Sequence, residues 1–357
     1  MSQEPSYPEE TQIFDDSIDE VVPYKYSITS YGADYPVDSL ISRLEKDVVF
    51  VPHFQRSFVW TLNQASRFIE SLLLGLPVPG IFLSKEPDTG KLLIIDGQQR
   101  LKTLQYFYQG VFQNNRVFAL RNVQSRFEGK TYRKLEEQDK LTLDDSIIHA
   151  TIIKQDEPSE DQSSIYHIFE RLNTGGTLLQ PQEIRACIFY GPLNDLLDQL
   201  NKDSSWRAIY GNTSKRLKDE ELILRFFALF FNFDNYQRPI KEFLNDYMGR
   251  NRHFQLQDVE TLRSTFLQTI CIFAATLAKE AFRPEGVLNA AVFDSVMVGL
   301  ARRISRGILN NPDQLRQSYN DLLNNKEFFN ACKTATSDPA NVETRIRLAT
   351  EYFSSLS

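Results

Sequence analysis

The stretch that decides the fold runs Leu92-Leu-Ile-Ile-Asp-Gly-Gln-Gln-Arg-Leu-Lys-Thr-Leu104. Its first four residues are apolar and predict a short strand that is buried on both faces. Apolar residues then recur at helical spacing, at Leu101, Leu104, Tyr108 and Val111. A strand therefore runs directly into a helix, and Asp-Gly-Gln-Gln-Arg forms the junction.

The chemistry of this junction suits a phosphate group. Asp96 stands where the helix N-cap belongs, with Gln99 three residues later as its capping-box partner. Gly97 allows a close approach to the backbone, and Arg100 offers a fork that binds two phosphate oxygens. The unpaired N–H groups and partial positive charge of a helix start favour an anion. An ordinary well-capped helix is the alternative interpretation of these residues alone.

A second group of polar residues lies in Ile168-Phe-Glu-Arg-Leu-Asn-Thr-Gly-Gly-Thr177. Asn173, Gly175 and Gly176 tolerate left-handed backbone angles, so this turn can present successive N–H groups to an anion. The charged Glu170 and Arg171 stand beside it. A simple link between two helices, with a glycine at the end of the first, is the equally weighted alternative.

Composition favours a globular protein of the cytoplasm. The 357 residues are 41% hydrophobic, which suffices for a large core, and this length is typical of two domains. Cys187, Cys271 and Cys332 lack the paired spacing of a zinc site, so we expect buried thiols in a reducing compartment. The sequence shows neither a basic, apolar signal peptide nor an apolar run long enough to span a membrane.

Charge is distributed unevenly along the chain. The formal net charge is −7, and residues 1–30 carry seven acidic side chains against Lys25 alone. This composition predicts a flexible acidic tail over residues 1–30. A globally acidic chain restricts any nucleic-acid contact to a local basic patch.

Periodicity divides the rest into a mixed first half, residues 31–190, and a helical second half, residues 191–357. The predicted class is therefore α+β. The patterns predict helices at Val37–Lys46, Asn63–Leu74, 97–109, Glu220–Phe231, Leu256–Lys279, Val287–Arg306 and Val342–Ser354, and strands at Val48–Val51, Ile81–Ser84, Leu92–Ile95, Val117–Leu120 and Ile147–Ile153.

Four ordered motifs resemble one known family. They are Val51-Pro-His-Phe-Gln-Arg-Ser-Phe-Val-Trp60, Ser71-Leu-Leu-Leu-Gly-Leu-Pro-Val-Pro79, Asp96-Gly-Gln-Gln-Arg-Leu101 and Phe169-Glu-Arg-Leu-Asn-Thr-Gly-Gly176. Together they are similar to the N-terminal domain of GmrSD-type, modification-dependent restriction systems over roughly residues 35–190. That domain belongs to the ParB/sulfiredoxin-like superfamily, so the resemblance implies a small mixed sheet with helices.

The resemblance also implies a function: binding and hydrolysis of a nucleoside triphosphate, coupled to sensing of DNA modification. It places Asp96, Gly97, Gln98, Gln99 and Arg100 at the core of the nucleotide site, with Gln55 and Arg56 at its rim and the loop of Glu170, Arg171, Asn173, Gly175 and Gly176 as a second phosphate-contacting segment. Arg56, Arg100 and Arg171 would neutralise phosphate charge, while Gln99 or Glu170 would position water. Asp96 has two interpretations, a helix cap or a ligand for Mg²⁺.

Nuclease and DNA-binding roles are the remaining alternatives. No histidine follows an aspartate, so the sequence does not predict the HNH nuclease of larger relatives, and any nuclease would lie in a partner protein. Two basic clusters are candidate DNA contacts, although solvated helix faces are the favoured interpretation of both: Lys215, Arg216 and Lys218, and Arg302, Arg303 and Arg306. A DNA-binding adaptor with a nucleotide switch, or a ParB-like nuclease, would be the other functions. The nucleotide base, the DNA modification and the oligomeric state stay open.

Overall fold

The chain divides into two compact units. Lys25–Leu179 form the first, which we call the α/β unit; Gln180–Ser357 together with Met1–Tyr24 form the second, which we call the helical unit. The structure is a computed structural model that describes residues 13–14, 27–51, 58–86, 89–157, 166, 168, 180–307, 309 and 313–356.

The first half of the chain alternates short strands with helices. Its described elements are β1 (Ile13–Phe14), β2 (Ser27–Pro36), α1 (Val37–Glu45), β3 (Val49–Phe50), α2 (Leu62–Leu73), β4 (Ile81–Lys85), β5 (Leu92–Asp96), α3 (Gln98–Gln109), β6 (Val111–Phe112), β7 (Arg116–Val117), α4 (Glu137–Asp144) and β8 (Ile147–Glu157). Helix α2 begins at a capping box in which Thr61 and Gln64 satisfy each other's backbone N–H groups.

Five of these strands form one mixed sheet in the order β2-β8-β4-β5-β3. The pairs β2–β8 and β4–β5 are antiparallel, whereas β8–β4 and β5–β3 are parallel. This mixed sheet with helices, followed by a helical second half, confirms the predicted α+β class.

One face of the sheet, which we call the core face, packs on helices. Leu83 and Ile94 are directly paired across β4 and β5 and are fully buried. Apolar residues of α1, α2 and α3 complete this core, including Leu40, Ile69 and Leu104. Burial of this face fixes which side chains of each strand point the other way, because successive residues of a strand alternate between faces.

The predicted strand at Val117–Leu120 is wrong over most of its length. Strand β7 ends at Val117, and Phe118 and Leu120 are buried from a loop whose backbone is held by hydrogen bonds between Leu120 and residues 129–130. Alternating burial imitated a strand there because the loop anchors two apolar side chains in the core. Residues 27–30, which the sequence analysis assigned to the acidic tail, are the first part of β2.

The second half of the chain consists almost wholly of helices. Its described elements are α5 (Pro181–Ile188), α6 (Pro192–Asn201), α7 (Ser204–Tyr210), α8 (Lys218–Phe231), α9 (Ile240–Asn251), α10 (Val259–Thr276), β9 (Leu288–Asn289), α11 (Ala290–Ile304), α12 (Asp313–Asn324), α13 (Lys326–Ala331) and α14 (Pro339–Ser354). Strand β1, from within the predicted tail, pairs parallel with β9. None of the helices in the described ranges is long and apolar enough to cross a membrane.

Packing in the helical unit contradicts one side-chain prediction. Phe226 and Phe227 of α8 are fully buried in this unit. Cys187 and Cys332 are buried, but Cys271 is exposed, so the prediction of three buried thiols is wrong. Helix α10 buries a stripe that includes Phe266 and not Cys271.

A buried cluster of charges joins three helices of this unit. Arg225 of α8 and Arg345 of α14 both contact the carboxylate of Asp294 on α11, at 2.7 and 3.4 Å between Nη2 and Oδ2. The three side chains are at most 2% exposed. Two guanidinium groups thus depend on one carboxylate, and removing it would leave buried charge without compensation.

We therefore expect Asp294→Asn to lower the free energy of unfolding by about 3–5 kcal/mol, the usual cost of breaking a buried ion pair. Glu280→Gln is the matched control, because it removes a carboxylate from an exposed pair with Arg316 and should change stability little. Urea denaturation followed by tryptophan fluorescence measures both. Equal effects of the two substitutions would contradict the structural role of the cluster.

Glu220, in the first turn of α8, is a buried ionisable group. Burial, together with the nearby carboxylates of Asp219 and Asp198, raises the pKa of its carboxyl group to about 8. The folded protein keeps this proton while the unfolded chain loses it at lower pH. Stability is therefore lost as pH rises from the ordinary glutamate pKa towards 8.

Glu220→Gln should remove this loss. At pH 5 the variant and the unmodified protein should be similarly stable, whereas at pH 8 we expect the variant to be more stable by at least about 1 kcal/mol, since one unit of pKa shift is worth about 1.4 kcal/mol. Glu260→Gln, at a side chain that is 77% exposed, is the control and should show no such change with pH. If the change in stability between pH 5 and pH 8 were the same in both variants, the raised pKa of Glu220 would be refuted as its cause.

Candidate functional site

The strand–helix junction at residues 96–98 differs from its predicted form. Asp96 is the last residue of β5, and Gly97, with φ of 100°, is the N-cap of α3. The prediction of Asp96 as N-cap is therefore wrong. The chain leaves a buried strand through a left-handed turn, which favours glycine over aspartate. None of the described side chains caps α3, so its first turn carries the partial positive charge of a helix start.

Close packing is a second reason for glycine at this position. A Cβ atom on Gly97 would lie 2.4 Å from Cγ2 of Ile81, a buried residue at the start of β4. Strands β4 and β5 are neighbours, so the backbone of the junction presses directly on the sheet. Gly97 thereby sets where α3 begins relative to the sheet.

Arg100 and Asp96 form an ion pair across the first turn of α3. Nη2 of Arg100 lies 2.5 Å from Oδ2 of Asp96, and the two side chains are 14% and 41% exposed. Nε of Arg100 is buried and has no hydrogen-bond acceptor among the described residues. The guanidinium group is thus held at the helix start with donor capacity left over. In the described ranges no group of three or more His, Cys, Asp or Glu surrounds Asp96 or any other point, so its role as a Mg²⁺ ligand stays a prediction.

Gln99 has a different role from the predicted one. Its Oε1 accepts hydrogen bonds from the backbone N–H groups of Val59 and Trp60, at 2.9 and 3.3 Å. The capping-box assignment is therefore wrong, since the oxygen faces a segment forty residues earlier. The ring of Phe58, in the same segment, packs edge-on against Tyr106 of α3. The described end of the Val51–Trp60 motif is thus fixed against α3.

Lys102 is a cation of α3 that sequence reasoning missed. It follows Gln98 by one helical turn and therefore lies on the same side of α3. Burial lowers the pKa of its ammonium group, and it forms no ion pair within the described part of the chain. Its position could have indicated it, because Lys102 lies four residues after the start of the helix that follows the Asp-Gly-Gln-Gln-Arg junction.

The remaining predicted nucleotide-site residues lie outside the described residues. This group comprises Gln55, Arg56, Glu170, Arg171, Asn173, Gly175 and Gly176. Their assignments therefore stay predictions, and the described part of the site consists of residues 96–100 with Val59 and Trp60.

The two basic clusters are partly engaged inside the helical unit. Nε of Arg216 lies 2.9 Å from Oε2 of Glu183, and Nε of Arg303 donates to the carbonyl of Leu356 at 2.6 Å. Arg302 packs over the ring of Phe233, and burial lowers the pKa of its guanidinium group. The exposed members are Lys215 and Arg306, while Lys218 begins α8. DNA contact by either cluster remains a prediction.

Comparison with known proteins identifies the first half of the chain. A family model described as the N-terminal domain of the GmrSD restriction endonuclease matches residues 37–190. This part of the chain resembles a GmrSD-type N-terminal domain. The match begins with α1 and ends just after α5, and so includes the Asp-Gly-Gln-Gln-Arg junction. It confirms the resemblance found in the sequence. A search of curated proteins finds no match to the chain.

Two glycines of α3 test the packing argument for the GmrSD-type domain. Gly97→Ala should destabilise the domain more than Gly110→Ala by about 1–3 kcal/mol, the usual cost of overpacking. Both positions have positive φ, but a Cβ on Gly110 would meet nothing within 4 Å. Thermal denaturation with residue-specific probes of the α/β unit gives the comparison. Equal losses for both variants would show that backbone strain alone explains the need for Gly97.

Proposed function

We propose that this chain is the nucleotide-binding and nucleoside triphosphate-hydrolysing sensor component of a prokaryotic restriction system that responds to DNA modification. The observation that supports the proposal most directly is the uncapped start of α3, where Gly97 brings backbone close and Arg100 supplies a guanidinium group. The family of residues 37–190 supports the restriction context.

Phosphate binding follows from the charges at the junction. The N–H groups and dipole of the α3 start attract an anion, and Lys102 adds positive charge one turn later. Asp96 holds Arg100 in place before a ligand arrives, at 2.5 Å. A phosphate oxygen would then bind the donors of Arg100 that Asp96 does not occupy, as guanidinium groups bind oxyanions through two parallel hydrogen bonds.

Hydrolysis requires charge neutralisation and a positioned water. Oε1 of Gln99 already accepts two backbone hydrogen bonds. Glu170 therefore becomes the preferred residue for positioning water, and Gln99 the residue that keeps the Val51–Trp60 motif beside the site. Arg56 and Arg171 are proposed to share the phosphate charge with Arg100.

The proposed partners are DNA and a separate nuclease. The name of the matched family connects the domain with restriction, which acts on DNA. Basic residues of the helical unit, Lys215 and Arg306 among them, are the proposed DNA contacts, and the overall negative charge implies binding that is weak and sensitive to salt. We further propose that nucleotide hydrolysis responds to modified DNA.

The central test is phosphate release from ATP, GTP and CTP, with and without modified DNA. Arg100→Ala should weaken nucleotide binding about tenfold or more and abolish hydrolysis, because a charge-assisted hydrogen bond contributes roughly 1.5–3 kcal/mol. Arg67→Ala is the matched control: Arg67 is an exposed arginine of α2 in the same unit and should leave both unchanged.

The possible results separate the candidate functions. Binding without phosphate release, sensitive to Arg100→Ala, would identify a nucleotide-switched adaptor in place of an enzyme. DNA cleavage by the isolated chain, lost in Arg100→Ala, would establish a nuclease. Nucleotide affinity that is unchanged in Arg100→Ala would remove the phosphate site altogether.

A further inference from the structure

The sheet has a second face, opposite the core face. This face extends from the proposed phosphate site at the start of α3 across β4 to β8. Phe82 of β4 pairs with Asp96 of β5 on one side and with Thr151 of β8 on the other. Directly paired residues of a regular ladder point to the same face of a sheet, and so do residues two apart on one strand. Phe82, Thr151 and His149 therefore line one face, and Asp96 lies beside Phe82 where the register of β4 and β5 shifts and the alternation of β5 is interrupted.

Burial on this second face decreases towards the end where α3 begins. Leu93, Ser84 and Ile153 are buried on it. One step along the strands, Phe82 and Thr151 are only half buried, and the side chain of His149 is 64% exposed. The face thus opens to solvent beside the Asp96–Arg100 pair.

His149 is oriented by an acidic partner on β2. Its Nδ1 lies 2.6 Å from Oδ1 of Asp34, the residue paired with it across the two strands. A hydrogen bond at Nδ1 leaves Nε2 as the ring atom that can contact a ligand. Nε2 has no hydrogen-bond partner among the described residues.

Two glycines keep the surroundings of His149 open. A Cβ on Gly32 would come within 3.2 Å of Cε1 of the imidazole ring, and one on Gly80 would lie 2.7 Å from the carbonyl oxygen of His149. The ring therefore lies beside the backbone at Gly32, and the backbone at Gly80 approaches β8 without a side chain between them. The result is an open strip from His149 to Asp96 with Phe82 between its ends.

We propose that the nucleotide base lies along this strip, stacked on Phe82, with Nε2 of His149 hydrogen-bonded to the polar edge of the base. The proposal rests on the proposed function, which places the phosphates at the start of α3. Strands β8 and β5 are separated by two strand spacings, about 10 Å, which leaves room for the base and sugar between the phosphate site and His149.

The chemistry of the strip predicts how the base is recognised. Phe82 has no aromatic neighbour among the described residues, so stacking on the base would give it one. Stacking on an aromatic ring tolerates any base, because every base has a π-face. A single hydrogen bond from the imidazole ring orients the base but discriminates little between different bases. The strip thus fits a nucleoside triphosphate of relaxed base preference.

The test compares ATP with inorganic tripolyphosphate, which has the phosphates and lacks the base. Calorimetry should show that Phe82→Leu weakens ATP binding about fivefold or more and leaves tripolyphosphate binding unchanged. His149→Asn, which keeps a group at the Nδ1 position for Asp34 and removes Nε2, should act in the same direction. His149→Gln, which restores a polar atom at the Nε2 position, should recover part of the affinity.

Two controls make the result specific. Tyr31→Leu removes an aromatic ring from the opposite face, because Tyr31 pairs with the core residue Ile152, and should not affect either ligand. Arg100→Ala should weaken both ligands. Circular dichroism melts of all variants report whether the fold is retained.

Each outcome supports or overturns the proposal. If the unmodified protein binds neither ligand, the proposed function fails and the base site with it. If Arg100→Ala weakens both ligands while Phe82→Leu and His149→Asn leave ATP binding unchanged, the phosphate site stands and the base site is overturned. Equal weakening of both ligands by Phe82→Leu would also overturn it, since the base would then play no part.

Discussion

The contact of Gly97 with Ile81 is the constraint on which the candidate site depends. A left-handed backbone angle and a distance that admits no Cβ atom together fix where β5 stops and α3 starts. The contact of Gly97 with Ile81 therefore determines the direction in which α3 starts. It also determines where Arg100 and Asp96 lie relative to the sheet. A site built in this way is held against the sheet through Ile81 of β4.

Near the contact of Gly97 with Ile81, hydrogen bonds hold together segments that are distant in sequence. Gln99 holds residues 59–60 from the first family motif, and Asp96 holds Arg100 within the third. The first contact satisfies two backbone N–H groups of the loop before α2, and the second pairs a guanidinium group in the first turn of α3. The arrangement keeps the guanidinium group neutralised and ordered before any ligand arrives, which reduces the ordering required on binding.

Local patterns predicted the elements, and longer-range contacts explain the errors. The apolar run before Asp96 and the spacing from Leu101 placed β5 and α3 within a residue. The residue types at 96 and 99 fit a capping box, but the competing left-handed turn at Gly97 displaced the cap by one residue. The partners of Gln99 and His149 are 40 and 115 residues away, and only strand register and tertiary packing bring them together. No local spacing contains that information.

The pairing of β1 with β9 has a consequence for how the chain is assembled. Because β1 precedes the α/β unit and β9 follows it, the α/β unit is an insertion within the helical unit. The pairing of Ser27 with Glu157 brings the beginning of the insertion beside the end of its last described strand, as an inserted domain requires. During synthesis the whole α/β unit is therefore made before β9, the strand with which β1 pairs. The inserted unit can fold first, and the unit that surrounds it closes last.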